Sequence, residues 1–452
     1  MSSAMQPSKP FALHAHPHLY EINTRAWLEK LSARFGRLIS LAEVPDSEWD
    51  SLARLGFDAV WLMGVWRRSP RARQIALAKA ADGGGASQYD RALPGWKPED
   101  VIASPYAVME YVPDPRIGTW PSLDAVREKL HARGIALFLD FVGNHTALDH
   151  RWTREHPEFY VNGSAEDFQR EPENFCRIET PRRVFYLALG RDPYFPSWPD
   201  VAQLNHFSPQ MRAAQLADLR AIAAHCDGVR CDMAMLHLND IFGKIWGHLL
   251  RGARAPEQEF WEKAHAAVPG LILLAEAYWG TESRLLDLGF AFVYDKGLYD
   301  AVRDGNMADV HGRLSVPAAY QTHLARFLEN HDEGRCAAIF GRERRTAVGS
   351  LMGTLPGMRF YHQGELEGAA VHLPITLRIA GDEAADPAAT AFFAKLLRIT
   401  KDAVFHDGQW DLLPVTDEGS DTAANLVVYE WRSAKAWKVI AINLAGGSSQ
   451  GR

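Results

Sequence analysis

Cys226-Asp227-Gly228-Val229-Arg230-Cys231-Asp232-Met233 alternates at period two, so Gly228, Arg230 and Asp232 share one face of a short strand and Val229 and Cys231 take the other. A strand that pushes a guanidinium and a carboxylate to the same side holds either a structural ion pair or a catalytic pair, because buried ionic groups persist only when partnered or used. The strand alone leaves both readings open. Its neighbours in the chain decide the fold, and their ends decide the chemistry.

Upstream, His18 to Trp27 alternates as a strand, and Ser47 to Leu55 reads as a helix started at Pro45-Asp46 and stopped by Gly56. Phe57 to Met63 is a short continuous apolar run, as expected of a parallel strand buried on both faces. Leu123 to Arg133 is a helix closed by Gly134, and Ile135 to Val142 the strand after it. Downstream, helices at Met211 to Ala224, Glu257 to Ala267, Thr281 to Leu288 and Arg342 to Met352 alternate with strands at Leu271 to Glu276, Phe290 to Asp295, Leu324 to Asn330 and Met358 to Gln363. With the opening strand this makes eight, the number that closes a (β/α)₈ barrel, and Ala388 to Lys401 supplies the last helix.

The predicted fold class is therefore α/β: a (β/α)₈ TIM barrel with a small subdomain inserted after the third strand and a short C-terminal β domain. Residues 1–145 carry strands one to three, 146–206 the insert, 207–401 strands four to eight, and 402–452 a partial β domain. The insert is rich in Pro, Asn, Arg and aromatics and only weakly periodic. Leu426 to Trp431 and Trp437 to Asn443 read as the start of a β-sandwich whose pattern is still running at Arg452, so an incomplete domain is expected. Trp66 to Ser104 reads as one long loop. Its basic run Arg67 to Arg73 reads as a solvated face, and Gly83 to Gly85 lacks the GK[ST] ending of a phosphate loop.

Composition is that of an ordinary globular protein: 452 residues, 47% hydrophobic and 23% charged. A net charge of -7, with 56 acidic and 49 basic residues well mixed, offers no footprint for nucleic acid or an anionic membrane and suits a small neutral substrate. Met1 to Phe11 lacks the apolar core of a secretory signal, and no apolar run is long enough to span a bilayer. Four scattered cysteines without a CxxC pair fit reduced thiols, so the expected location is the cytoplasm. Fourteen tryptophans, with Trp66, Trp96, Trp198 and Trp279 in predicted loops, suit either core filling or stacking on sugar rings. His14, His16 and His18 lie in a polar leader without an accompanying acid and read as solvent-facing rather than as a metal site. No HExxH helix is present.

In a barrel the reactive side chains sit at the C-terminal strand ends. The third strand ends in Asp140, with Asn144 and His145 just beyond; the fourth in Arg230 and Asp232; the fifth in Glu276; the seventh in Asn330-His331-Asp332. Carboxylates held close together raise one another's pKa, leaving one protonated near neutrality and another ionised. Cleavage of a glycosidic bond needs that division of labour.

These segments resemble the four signature regions of the α-amylase superfamily of retaining α-glycosidases and transglycosidases: Asp140-Phe141-Val142-Gly143-Asn144-His145, Gly228 to Asp232, Ala275-Glu276 and Phe327 to Asp332, in the family's order. Ser104 to Tyr111, Asp114-Pro115, Gly118-Thr119 and Asp200 to Asn205 agree as accessory stretches, and the resemblance runs from about Tyr20 to Ile399. It implies Asp232 as nucleophile, Arg230 as the group that holds it ionised, Glu276 as general acid and base, and Asp332 as a hydroxyl ligand that tightens at the transition state. It also implies that His145 and His331 bind sugar hydroxyls, that Tyr106 stacks beneath the ring, and that Asp140 supports the site from behind. The implied substrate is a small α-glucoside or oligosaccharide, and no cofactor is required; Asn144 matches a ligand of a structural calcium in many relatives, but no further calcium ligands are assigned. The sequence departs from the family after the nucleophile, where Met233 to His237 lacks the Lys-His pair of starch-degrading amylases, and at Glu110, where Asp is usual. Hydrolysis of short α-glucosides is therefore expected over long-chain starch attack. Transglycosylation, isomerisation or phosphorolysis at the same site is the alternative, and a non-catalytic carbohydrate-binding barrel the second.

Overall fold

The computed structural model describes residues 11–452 apart from 82, 84, 85, 182, 418 and 420. Met1 to Pro10 of the leader and two of the three glycines of Gly83 to Gly85 lie outside the described residues. Eight strands, β1 (His18–Asn23), β2 (Ala59–Met63), β3 (Ala136–Phe141), β4 (Gly228–Cys231), β5 (Ile272–Ala275), β6 (Phe292–Tyr294), β7 (Leu324–Arg326) and β8 (Met358–His362), form a closed parallel barrel. Helices and two small antiparallel sheets of the insert surround it.

The period-two pattern sorts the strands into two cores. Leu19, Trp61, Phe138, Leu274, Phe292, Ala325 and Phe360 pack with one another in the barrel interior, while Val60, Leu137, Leu139, Val229, Leu273 and Val293 pack outward against the helices. Gly228 is small for a reason: a Cβ there would lie 2.4 Å from the Phe138 ring, which fills the space beside it. Gly56 ends the helix Asp46–Leu55 in the left-handed region at φ 90°, as its position implied.

Four readings change. The first strand stops at Asn23, whose side chain accepts the Ala26 N–H and starts the helix Thr24–Phe35; the apparent alternation through Trp27 is the first turn of an amphipathic helix. The supposed loop after Trp66 contains helices Pro70–Ala81 and Ala86–Ala92. Its arginines are fasteners rather than a solvated face: Arg68 and Arg73 donate to the carbonyls of Ala103, Val101 and Pro98, and Arg67 pairs with Glu110 at 2.6 Å. The leader is not wholly solvent-facing: His16 and His18 are buried, and burial lowers their pKa values to about 3 and about 4. The C-terminal segment is a single antiparallel sheet, Gln409–Leu413, Leu426–Arg432 and Trp437–Asn443, with Trp431 Nε1 donating to Thr354 O. Among the described residues no helix is long and apolar enough to cross a membrane.

Candidate active site

Above the C-terminal ends of the barrel strands opens a cleft of about 1070 Å³. Asp232, Glu276, Asp332, Tyr106 and His145 line it; Arg230, His331, Asp140 and Asn144 lie buried behind them. The strands thus bring together every residue that the sequence singled out.

Arg230, fully buried, is the centre of the arrangement. Its Nη1 donates to Asp232 Oδ1 at 2.6 Å, and Nη2 lies 2.8 Å from Glu276 Oε2 in a second ion pair. The Tyr294 hydroxyl accepts from Nε at 3.3 Å, and the rings of Trp61 and Tyr106 lie 5.4 and 5.3 Å from the guanidinium carbon. Burial pushes the Glu276 carboxyl up to about 7, against the pull of Arg230 and with the help of the Asp232 and Asp332 charges. Burial raises Asp232 too, and Arg230 restrains it.

Glu276 is held from both sides. Its Oε2 accepts the Met233 N–H at 2.6 Å and its Oε1 the Tyr278 hydroxyl at 2.7 Å. Met233, directly after Asp232, sits at φ 44°, a left-handed conformation that a non-glycine residue adopts only under constraint. The next four residues, Ala234–His237, form a buried 3₁₀ turn, and His237 packs against His206 and Phe260, leaving Met233 to face the cleft.

On the opposite wall Asp332 is half-exposed to the cleft. Burial opposes its charge, yet His331, with Nε2 at 3.0 Å, draws it down to about 2. Burial also works against charge on His331, but Asp332 and Glu21, whose Oε1 lies 2.5 Å from Nδ1, outweigh it and keep the ring protonated. Tyr106 stacks on this ring at 5.2 Å and meets Nε2 with its hydroxyl at 2.7 Å. His145 is a neutral ring, lowered by burial to about 4, with Nε2 at 4.0 Å from Asp232 Oδ2. Asp140 faces away from the cleft and accepts from Trp61 Nε1 (3.0 Å) and Gly64 N (2.6 Å); burial raises it to about 6.

Asn144 closes a reciprocal amide pair: Gln203 Nε2 donates to its Oδ1 at 2.9 Å, and its own Nδ2 reaches Gln203 Oε1 at 3.3 Å. The remaining side-chain neighbour is the His145 ring at 3.3 Å. Neutral groups that satisfy one another, with no carboxylate among them, do not fit a hard cation such as calcium, and no role for one is derived.

Glu21, Tyr278 and Tyr294 belong to the constellation and escaped the sequence reading. Each obeys period two: Glu21 follows Leu19 inward, Tyr294 follows Phe292, and Tyr278 stands two residues beyond Glu276. Of the four loop tryptophans only Trp198 and Trp279 line the cleft; Trp66 is buried and Trp96 packs on Tyr89.

A family model described as the α-amylase catalytic domain matches residues 47–198. The chain is 24% identical over 326 residues to the α-amylase MalA of Haloarcula japonica, covering 70% of this chain and 40% of that protein. It is 26% identical over 369 residues to the trehalose synthase/amylase TreS of Mycolicibacterium smegmatis, covering 73% and 54%. The chain thus spans about half the length of these relatives. The crystal structure of an α-amylase from Lactobacillus plantarum superposes with a TM-score of 0.68 at 21% identity, over 96% of this chain and 89% of that one. With four signature segments at the ends of their barrel strands, the chain is similar to proteins of the α-amylase family, and the family model covers about a third of it.

Proposed function

We propose that the chain is a retaining enzyme acting on short α-glucosides through a covalent glycosyl-enzyme intermediate. The observation that carries this reading is the sharing of Arg230 by Asp232 and Glu276 at the floor of the cleft. Adjacent nitrogens of one guanidinium keep the two carboxyl groups close, which suits the spacing of about 5 Å in retaining enzymes better than the roughly 6.5–9.5 Å of inverting ones.

In this mechanism Asp232 Oδ1 stays with Arg230, and Oδ2 attacks the anomeric carbon while the bond to the leaving oxygen breaks. Glu276, protonated near neutrality, delivers its proton to that oxygen. Asp332, ionised throughout, and neutral His145 take sugar hydroxyls, and the Tyr106 ring lies under the sugar. In the second half Glu276, now ionised, removes a proton from the incoming acceptor, which attacks the same carbon and releases Asp232.

Water as acceptor gives hydrolysis, and a sugar hydroxyl gives transfer. The aromatic groups Phe195, Trp198, Tyr278 and Trp279 around the cleft supply flat faces for more than one sugar unit, which supports an oligosaccharide-sized substrate. Four free, buried cysteines support a cytoplasmic location.

The test is incubation with maltose, trehalose, sucrose and malto-oligosaccharides, with and without phosphate, beside an Asp232→Asn control. Glucose formed with neither a new saccharide nor glucose phosphate identifies a hydrolase, a new di- or oligosaccharide a transferase or isomerase, and glucose phosphate a phosphorylase. Absence of product from every substrate, or undiminished activity of the variant, overturns the assignment.

A further inference from the structure

Beneath the barrel, at the end opposite the cleft, three segments distant in sequence meet: the leader at His14, the residue before β2 at Asp58, and the short helix Val404–Asp407 at His406. A ring nitrogen of His14, a carboxylate oxygen of Asp58 and a ring nitrogen of His406 all lie within 4.8 Å of one another. His18, on β1, flanks the same carboxylate: its Nδ1 and the Nδ1 of His406 each lie 3.7 Å from Asp58 Oδ2. Both nitrogens are buried, and among the described residues neither has a hydrogen-bond partner.

His18 Nε2 lies 3.1 Å from Thr400 Oγ1, which anchors the ring with its Nδ1 turned toward the Asp58 carboxylate. Asp58 Oδ2 is fixed in place by the His18 backbone N–H at 2.7 Å, and His14 Nδ1 is tethered to Asp407 Oδ2 at 3.2 Å. A carboxylate behind a histidine is the usual support for a metal-binding ring.

We propose that His14, Asp58 and His406 bind a divalent transition-metal cation, Zn²⁺ in the first instance, with His18 placed to complete or back the set. Imidazole and carboxylate donors are the ligand types that zinc takes. Bonds of about 2.0–2.1 Å in a tetrahedron set the ligand atoms roughly 3.4 Å apart, so the 3.7 Å contacts need little movement and the wider ones close around the ion. The ion joins leader, barrel and C-terminal segment and has a structural role distinct from catalysis.

The experiment uses the full chain carrying Asp232→Asn and Glu276→Gln, which removes two of the cleft carboxylates as competing ligands. After dialysis against chelator, ZnCl₂ is titrated by calorimetry and thermal unfolding is followed, with MgCl₂ as comparison. The proposal expects one saturable zinc site, a higher Tm with zinc than with magnesium, and affinity weakened about tenfold or more by His406→Gln and by His14→Gln. His14 is exposed, so its variant folds even if the His406 variant does not. No saturable zinc binding, or binding that both variants leave unchanged, overturns it.

Discussion

Arg359 and Arg230 are two of the arginines that the molecule buries completely, and their surroundings treat the charge in opposite ways. Beneath the C-terminal sheet, Arg359 donates to the carbonyl oxygens of Leu355 (3.0 Å) and Phe405 (2.6 Å) and lies under the Trp431 ring. Among the described residues no carboxylate bonds it, and burial lowers its pKa to about 10. At the cleft, burial opposes the charge on Arg230 in the same way, but Glu276 first and the surrounding acid and phenols after it raise its pKa instead. The first arginine is spread over neutral dipoles that have no other task. The second is shared by two acids that compete for it at the edge of an open cleft. Burial by itself therefore does not separate structure from function; the distinction lies in whether the partners are titratable groups that face an open cleft.

That contrast breaks first at Asp232. Asp232→Asn should reduce turnover by ~10⁴-fold or more, as for loss of a nucleophile, with Tm unchanged or raised; a variant that unfolds instead would place Arg230 in the same class as Arg359. Glu276→Gln comes next, with a loss of about 10²–10⁴-fold that shrinks for substrates with good leaving groups, measured on aryl α-glucosides of graded leaving-group pKa. The same variant tests the sign of the linkage. A carboxyl raised from 4.5 to about 7 binds its proton more tightly in the folded chain, so the stability it contributes is complete below pH 4.5 and is lost as pH climbs through about 7. Melting curves should show Glu276→Gln more stable than the parent at pH 8 and equal to it at pH 4. The kcat/KM profile of the parent should lose activity on the alkaline side near pH 7, and a flat profile to pH 9 would remove Glu276 as the acid.

Arg359→Met sharpens the other side of the comparison. It removes the donor to three carbonyls, those of Leu355, Phe405 and His16, at about 1–3 kcal/mol each, so denaturant melts should report a loss on the order of 3 kcal/mol or more while kcat per folded molecule stays constant. The smallest effect is expected at Tyr278→Phe, which deletes one neutral hydrogen bond to Glu276; kcat should fall about fivefold, with KM little changed.

The barrel was legible because its eight strands are short apolar runs bounded by glycines and polar ends, and inner and outer residues alternate without error from Leu19 to Phe360. The acids at the strand ends were legible for the same reason. Helix Pro70–Ala81 was missed because its apolar residues are mostly alanines spread around the whole circumference, so it carries no face for periodicity to detect. The Glu21 to His331 contact joins residues 310 apart, and the chain offers no local sign of it. Buried His16 and His18 were misread because a polar leader looks free until the sheet and helix that cover it are in place.

The shared guanidinium also acts as a counterweight across the proposed reaction cycle. When Asp232 becomes an ester it gives up its charge, and Arg230 is left with Glu276 as its one carboxylate partner. The repulsion that helped to keep Glu276 protonated disappears at the same moment, so the group that has just delivered a proton is tuned downward and becomes a base. When the ester is released, the charge on Asp232 returns and Glu276 regains its affinity for a proton. One immobile side chain thus resets the enzyme at every turnover without any movement of the backbone.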